Sequence, residues 1–261
     1  MRVALLQMDL AWEDVPENHR RAERLLADAA ARAARLAVLP EMFSTGFSMA
    51  PERIAQPEGG PSETFLRERA RSLGIWILAS VPESGGAGGG RPKNVALLVS
   101  PEGAVARYAK IHPFSFGGED KHYGAGDRVV TVPVEGVRVT PFICYDLRFP
   151  EPFRVAARET DLFCVIANWP DARREHWRAL LRARAIENQA YVVGVNRAGD
   201  GDRLHYAGDS AAVGPLGETL AEAGEGEAVL VCEIEPQAVA KLRARFPALD
   251  DVRPEAYRRV P

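Results

Sequence analysis

Apolar positions along the chain fall into short runs separated by amphipathic and polar stretches. Residues 3–8 are largely apolar and read as a buried strand. Residues 18–36 bring Leu25, Leu26, Ala29 and Ala33 toward one side, the spacing of an amphipathic helix. Residues 36–40 form a short apolar strand stopped by Pro40. A helix over 62–73 and a strand over 75–81 follow. The glycine-rich stretch 84–91 reads as a flexible connection; it has no Lys-Ser/Thr ending and no helix start, so it is not a phosphate loop. Residues 94–100 and 104–110 predict two strands around the turn Pro101-Glu102-Gly103. After a polar segment, 112–127, the pattern predicts strands over 137–143, 162–167, 191–196, 210–213 and 228–234, and helices over 150–159, 173–189 and 236–245. Gly214-Pro215-Leu216-Gly217 marks a hairpin turn.

Strands alternate with helices in the first third and again over 137–196, with hairpins between and after. That order predicts an α/β fold with a mixed sheet. The strands are apolar at most positions, which implies sheets covered on both faces. No shift in composition divides the chain, so a single domain over residues 1–261 is expected, its two βα-rich halves compatible with two stacked layers.

Composition narrows the classes. With 46% hydrophobic residues the chain has ample material for a core, and a formal charge of −3 without a basic tract argues against nucleic acid as partner. No apolar stretch approaches the roughly 20 residues that span a bilayer, so no membrane association is expected. The first apolar run leads into a polar loop and reads as a strand rather than a signal peptide, making the cytoplasm the default location. The three cysteines are too few and too widely spaced for a disulfide framework or a zinc site; Cys164 and Cys232 sit inside apolar runs and read as core residues. His19, His112, His122, His176 and His205 are dispersed with no ligand spacing, so no metal is expected.

Cys144 differs, because it directly follows the apolar run 137–143 where a strand ends and a helix is about to begin. Two other strands end in reactive groups: Leu39-Pro40-Glu41 in a carboxylate and Tyr108-Ala109-Lys110 in an ammonium. The four lysines (93, 110, 121 and 241) leave 29 of the 33 basic residues as arginine, so a lysine here marks a place where a compact ammonium is wanted. Together the three groups suit hydrolysis of an amide-like C–N bond. A carboxylate takes the thiol proton and later delivers it to the departing amine, the thiolate forms a thioester, and the ammonium stabilises the oxyanion. Taken singly, each is also consistent with a plain role: a solvated loop carboxylate, a surface strand end, a small core residue.

The segments Pro40-Glu41-Met42-Phe43-Ser44-Thr45-Gly46-Phe47, Lys110-Ile111-His112-Pro113-Phe114 and Cys144-Tyr145-Asp146-Leu147-Arg148-Phe149-Pro150-Glu151 together resemble the nitrilase (carbon–nitrogen hydrolase) superfamily in residues, order and spacing. Asn168-Trp169-Pro170, His176-Trp177 and residues 183–189 fit the stretch that follows the nucleophile. The resemblance runs from Val3 to about Pro247. It implies a four-layer αββα sandwich, one carbon–nitrogen hydrolase domain, a homodimer and no cofactor. It makes Glu41 the general base, Lys110 the oxyanion cation, Cys144 the nucleophile, the Tyr145 N–H a second oxyanion donor, and Glu119 (Asp120 being adjacent) a second glutamate that orients Lys110 or assists hydrolysis. The flanks of Glu41 and Asn168 are most similar to the ω-amidase branch, which removes ammonia from the terminal amide of small molecules such as 2-oxoglutaramate and 2-oxosuccinamate. Such a substrate carries a carboxylate, and Arg173, at the start of a long helix past Trp169, fits as its anchor. Trp169 would wall the pocket or pack in the core, while Arg148 reads as structural support behind the cysteine. The alternatives are an N-carbamoyl amine hydrolase or other small-amide amidase of the superfamily, and a non-catalytic scaffold. Pro141, within the strand before Cys144, predicts an edge-like or bulged stretch there.

Overall fold

The computed structural model describes residues 1–86 and 88–257. In chain order the elements are β1 (Arg2–Gln7), α1 (Val15–Ala31), β2 (Leu36–Val38), α2 (Pro51–Ile54), α3 (Pro61–Leu73), β3 (Trp76–Gly85), β4 (Gly90–Val99), β5 (Val105–Ala109), α4 (Glu119–His122), β6 (Val132–Val134), β7 (Val137–Ile143), α5 (Pro150–Ala156), β8 (Leu162–Ala167), α6 (Arg174–Asn188), β9 (Tyr191–Asn196), β10 (Ala198–Gly201), β11 (Leu204–Ala207), β12 (Ala211–Val213), β13 (Thr219–Glu222), β14 (Ala228–Glu233) and α7 (Pro236–Arg245). One six-stranded sheet runs β14-β1-β2-β3-β4-β5, a second runs β13-β12-β9-β8-β7-β6, and β10 and β11 form a separate ribbon. Each large sheet is mixed: β1, β2 and β3 are parallel, as are β7, β8 and β9, with antiparallel strands on both sides.

Strand alternation builds the layers. Val3 and Leu5 of β1 face the second sheet and pack in one core with Val139, Ile143, Leu162 and Cys164. Ala4 and Leu6, the intervening positions, face away and pack with Leu25, Leu26 and Ala29 of α1 and Leu66 and Ala70 of α3. On the far side of the second sheet, Phe153 of α5 and Trp177, Leu181 and Ala185 of α6 close the core. The result is the expected αββα sandwich, and Cys164 and Cys232 are buried free thiols within it.

Several boundaries differ from the sequence reading for local reasons. Helix α1 starts at Val15 because Asp14 accepts the Glu17 N–H at 3.0 Å. It stops at Ala31 because Ala33 takes a left-handed φ of 58° and turns the chain into β2. The glycine-rich connection is a tighter hairpin than expected, with Gly85 paired to Gly90; its Ala87 lies outside the described residues. Pro141 sits beyond the reach of β6, which pairs only with residues 137–139, while the register with β8 continues unbroken. The strand is therefore edge-like on one side and not bulged.

Gly194 on β9 lets α6 lie against the sheet. A Cβ there would come within 2.5 Å of Leu181 and 2.7 Å of Trp177. Gly194→Ala is expected to destabilise the fold by about 1–3 kcal/mol. The check is a lowered denaturant midpoint at unchanged slope; an unchanged midpoint would mean that α6 lifts away freely.

Candidate active site

The candidate site lies where four strands end. Glu41 follows β2 and Lys110 follows β5 in the first sheet; Cys144 follows β7 and Asn168 follows β8 in the second. Glu41, Lys110 and Glu119 are buried together: Lys110 Nζ donates to Glu41 Oε1 at 2.9 Å and to Glu119 Oε2 at 2.7 Å. Asn168 closes the other side of Glu41, its backbone N–H donating to Oε2 at 2.8 Å and its Nδ2 to the Glu41 carbonyl at 2.7 Å. Glu119 also accepts the Phe114 N–H at 2.6 Å, whereas the adjacent Asp120 is exposed. The geometry thus brings Glu119 rather than Asp120 to Lys110.

Cys144 opens a tight turn with φ of 46°, a left-handed conformation unusual for a side-chain-bearing residue. Such a residue typically costs about 1–3 kcal/mol and persists only when its surroundings over-determine it. Buried Asp146 supplies that restraint. It accepts the Ile143 N–H at 3.0 Å, the His112 N–H at 2.9 Å and the Tyr108 hydroxyl at 2.7 Å, and His112 Nδ1 lies 2.8 Å from it. The cysteine turn is therefore tied to the chain around Lys110, across the seam between the sheets. The Tyr145 N–H is one of the first amides of this turn, which helical hydrogen bonding leaves unpaired.

Burial pushes the Cys144 thiol well above the ordinary range, the Glu41 charge adds to the rise, and Lys110 opposes it. The resting thiol therefore keeps its proton; its sulfur lies 4.0 Å from the Asn168 carbonyl oxygen, and Glu41 is the carboxylate whose charge acts on it. Burial also disfavours the charge on Lys110, yet Glu119 and Glu41 outweigh it and hold the ammonium above the usual lysine value. Glu119 is pushed up by burial, with Lys110 working against the rise. A proton passing from Cys144 to Glu41 leaves the net charge of this buried group unchanged, so the transfer needs no ion from solvent.

A cavity of about 170 Å³ opens onto Cys144, lined by Phe47, Phe114, Trp169, Arg148, Arg173 and Tyr206 among others. Trp169 is nearly buried and its Nε1 donates to the Arg173 carbonyl at 2.8 Å. The Arg173 guanidinium lies 5.5 Å from the Phe114 ring centre, without a carboxylate within 4 Å among the described residues. Arg148 departs from its expected place behind the cysteine: it lines the same cavity, 4.9 Å from the Trp169 ring centre, and contacts His176 Nδ1 at 3.1 Å. A larger groove of about 500 Å³ lies beside Val155, Leu249 and Tyr257, with no cysteine or lysine in its lining.

Asn94 has no counterpart in the sequence reading. Its Nδ2 donates to Glu41 Oε1 at 2.8 Å and to Glu119 Oε1 at 3.3 Å, bridging the two carboxylates. One asparagine in an apolar strand carries no local signal; only the register of β4 against β5 puts it beside Lys110, whose N–H donates to the Asn94 carbonyl. Asn168 lay in a quoted motif, but its hold on Glu41 required the fold.

Comparison with known proteins places this geometry. The family model for carbon-nitrogen hydrolase matches residues 2–244. The chain is 41% identical to the omega-amidase YafV of Escherichia coli (strain K12), covering 96% of each chain. It is 32% identical to the 2-oxoglutaramate amidase of Bacillus subtilis (strain 168), covering 98% of each. Among solved structures it is similar to XC1258 from Xanthomonas campestris, a CN-hydrolase superfamily protein with an arsenic adduct in its active site, at a TM-score of 0.91, 40% identity and 97% coverage of each chain.

Proposed function

The chain belongs to the carbon–nitrogen hydrolase family, and on that footing we propose that it is an ω-amidase, releasing ammonia from the terminal amide of small 2-oxo dicarboxylate monoamides such as 2-oxoglutaramate and 2-oxosuccinamate. The observation that carries this reading is a protonated thiol beside a carboxylate and an ammonium, in a cavity that also presents two arginines. Glu41 takes the Cys144 proton as sulfur attacks the amide carbon. The oxyanion is held by Lys110 and the Tyr145 N–H: two of the three ammonium hydrogens are engaged by Glu41 and Glu119, and one is left. Glu41 returns its proton to the departing nitrogen, ammonia leaves and a thioester remains. Water, deprotonated by Glu41, attacks the thioester; the acid departs and Cys144 regains its proton. Glu119 and Asn94 keep Lys110 and Glu41 in line.

Arg173 anchors the substrate carboxylate at the cavity mouth, with Trp169 as a wall. Arg173→Ala is expected to raise KM for 2-oxoglutaramate roughly ten- to a hundredfold, the range for losing a charge-assisted hydrogen bond, with a small change in kcat. Steady-state kinetics against a neutral amide of similar length is the control; an equal effect on both amides would refute the anchor. The function itself is tested by ammonia release across 2-oxoglutaramate, 2-oxosuccinamate, glutamine, aliphatic amides, N-carbamoyl amines and nitriles. A clear lead for a carbamoyl compound or a nitrile would move the protein to another branch.

The reading includes a cytoplasmic homodimer. A nucleophilic thiol is best preserved where the surroundings are reducing. Val155 on α5 and Ile186 on α6 leave large apolar surface exposed on the outer helical layer, as a second copy would cover. Among the described residues no helix is long and apolar enough to cross a membrane.

A further inference from the structure

The ribbon β10–β11 brings Leu204 and Tyr206, two residues apart and so on one face, to the cavity that holds Cys144. Tyr206 is only 2% exposed. Its ring lies over the fully buried Arg197 guanidinium, 4.4 Å from Cζ to the ring centre. Arg197 is held by the carbonyls of Leu10, Asp200 and Ala198. A cation in this place is costly to bury; set against the ring, it braces the tyrosine and draws on its π face.

The Tyr206 hydroxyl has no hydrogen-bond partner among the described residues. Two other buried tyrosines do: Tyr108 donates to Asp146 and Tyr123 donates to the Ser48 carbonyl. A hydroxyl that lines a cavity without a protein partner is free to pair with a ligand atom. Two other side-chain donors around the cavity are committed. Asn168 Nδ2 serves Glu41 and Trp169 Nε1 serves the Arg173 carbonyl. Lys110 and the Tyr145 N–H are assigned to the amide oxygen, and the arginines suit a carboxylate. A 2-oxo acid amide carries one more acceptor, its uncharged 2-oxo oxygen.

We infer that the Tyr206 hydroxyl donates a hydrogen bond to the 2-oxo oxygen of the substrate and so selects 2-oxo acid amides over their methylene analogues. The assignment rests on the ω-amidase reading above. Burial pushes the phenol up to about 12, so it keeps its donor hydrogen throughout the neutral range.

The test compares 2-oxoglutaramate with glutaramate, which has the same amide and carboxylate and a methylene in place of the ketone. For the wild type and Tyr206→Phe, the quantity read is the ratio of kcat/KM for the two substrates. The ratio is expected to fall about tenfold in the variant, the effect of one neutral hydrogen bond, with the melting temperature as the check on folding. A ratio unchanged by Tyr206→Phe, because both substrates fall alike or neither falls, overturns the assignment while leaving the ω-amidase reading in place. A wild type that hydrolyses glutaramate as well as 2-oxoglutaramate overturns the substrate reading and the Tyr206 assignment with it.

Discussion

Cys144→Ala should release ammonia from 2-oxoglutaramate at least roughly 10⁴-fold more slowly than the wild type, the scale on which losing a nucleophile is felt. Cys144→Ser should be nearly as inert, because the hydroxyl is a far weaker acid than a thiol that already sits above its ordinary range. Both variants should keep the wild-type melting temperature within a few degrees. The left-handed backbone at residue 144 is held by Asp146 through its neighbours and not by the sulfur. An enzyme-coupled ammonia assay and a thermal melt suffice, and substantial turnover by the alanine variant would end the thioester mechanism. The same variants should lose reaction with iodoacetamide at low stoichiometry, since Cys164 and Cys232 are buried in the core.

Glu41→Gln should cost about 10³-fold or more in kcat, from loss of general acid–base catalysis in both half-reactions. Its pH dependence distinguishes a base from a merely structural carboxylate. On the proposed mechanism the wild-type thiol proton moves within the site, so the reactive fraction should be independent of solvent pH across neutrality. In the variant the proton must leave for solvent, from a thiol that burial still pushes up although the contribution of the Glu41 charge is gone. Alkylation of Cys144 in Glu41→Gln should therefore climb about tenfold per pH unit through the neutral and mildly alkaline range, where the wild-type rate is comparatively flat. Parallel profiles for the two proteins would mean that Glu41 does not receive the proton.

Much of the framework was legible because burial on both faces writes itself into composition. The strand at 162–167 is an uninterrupted apolar run, those at 137–143 and 191–196 are mostly apolar, and the structure gives all three those bounds. Glu41, Lys110 and Cys144 each end such a run, which made them visible as a set, and three quoted segments gave the set a family. The β10–β11 ribbon was illegible because Ala198-Gly199-Asp200-Gly201 has the composition of a loop. It becomes a strand only by pairing with residues 204–207 over a buried arginine. Asn94 and Asp146 were missed for a different reason: their importance lies in partners 53 and 34 residues away, Glu41 and His112. Arg148 was misplaced because nothing local distinguishes an arginine behind a turn from one that reaches into the cavity beside it.

Because Glu41 and Lys110 arrive from one sheet and Cys144 and Asn168 from the other, chemistry here is a gauge of how the halves of the sandwich interlock. A slip of one residue between neighbouring strands moves a side chain by about 3.3 Å and turns it to the opposite face. The secondary structure would survive such a slip, but the Asn168–Glu41 and Asp146–His112 links that span the seam would not. Inactivation on heating should thus run ahead of loss of the far-ultraviolet dichroism. Neither half of the chain, expressed alone, would bring Glu41 and Lys110 together with Cys144.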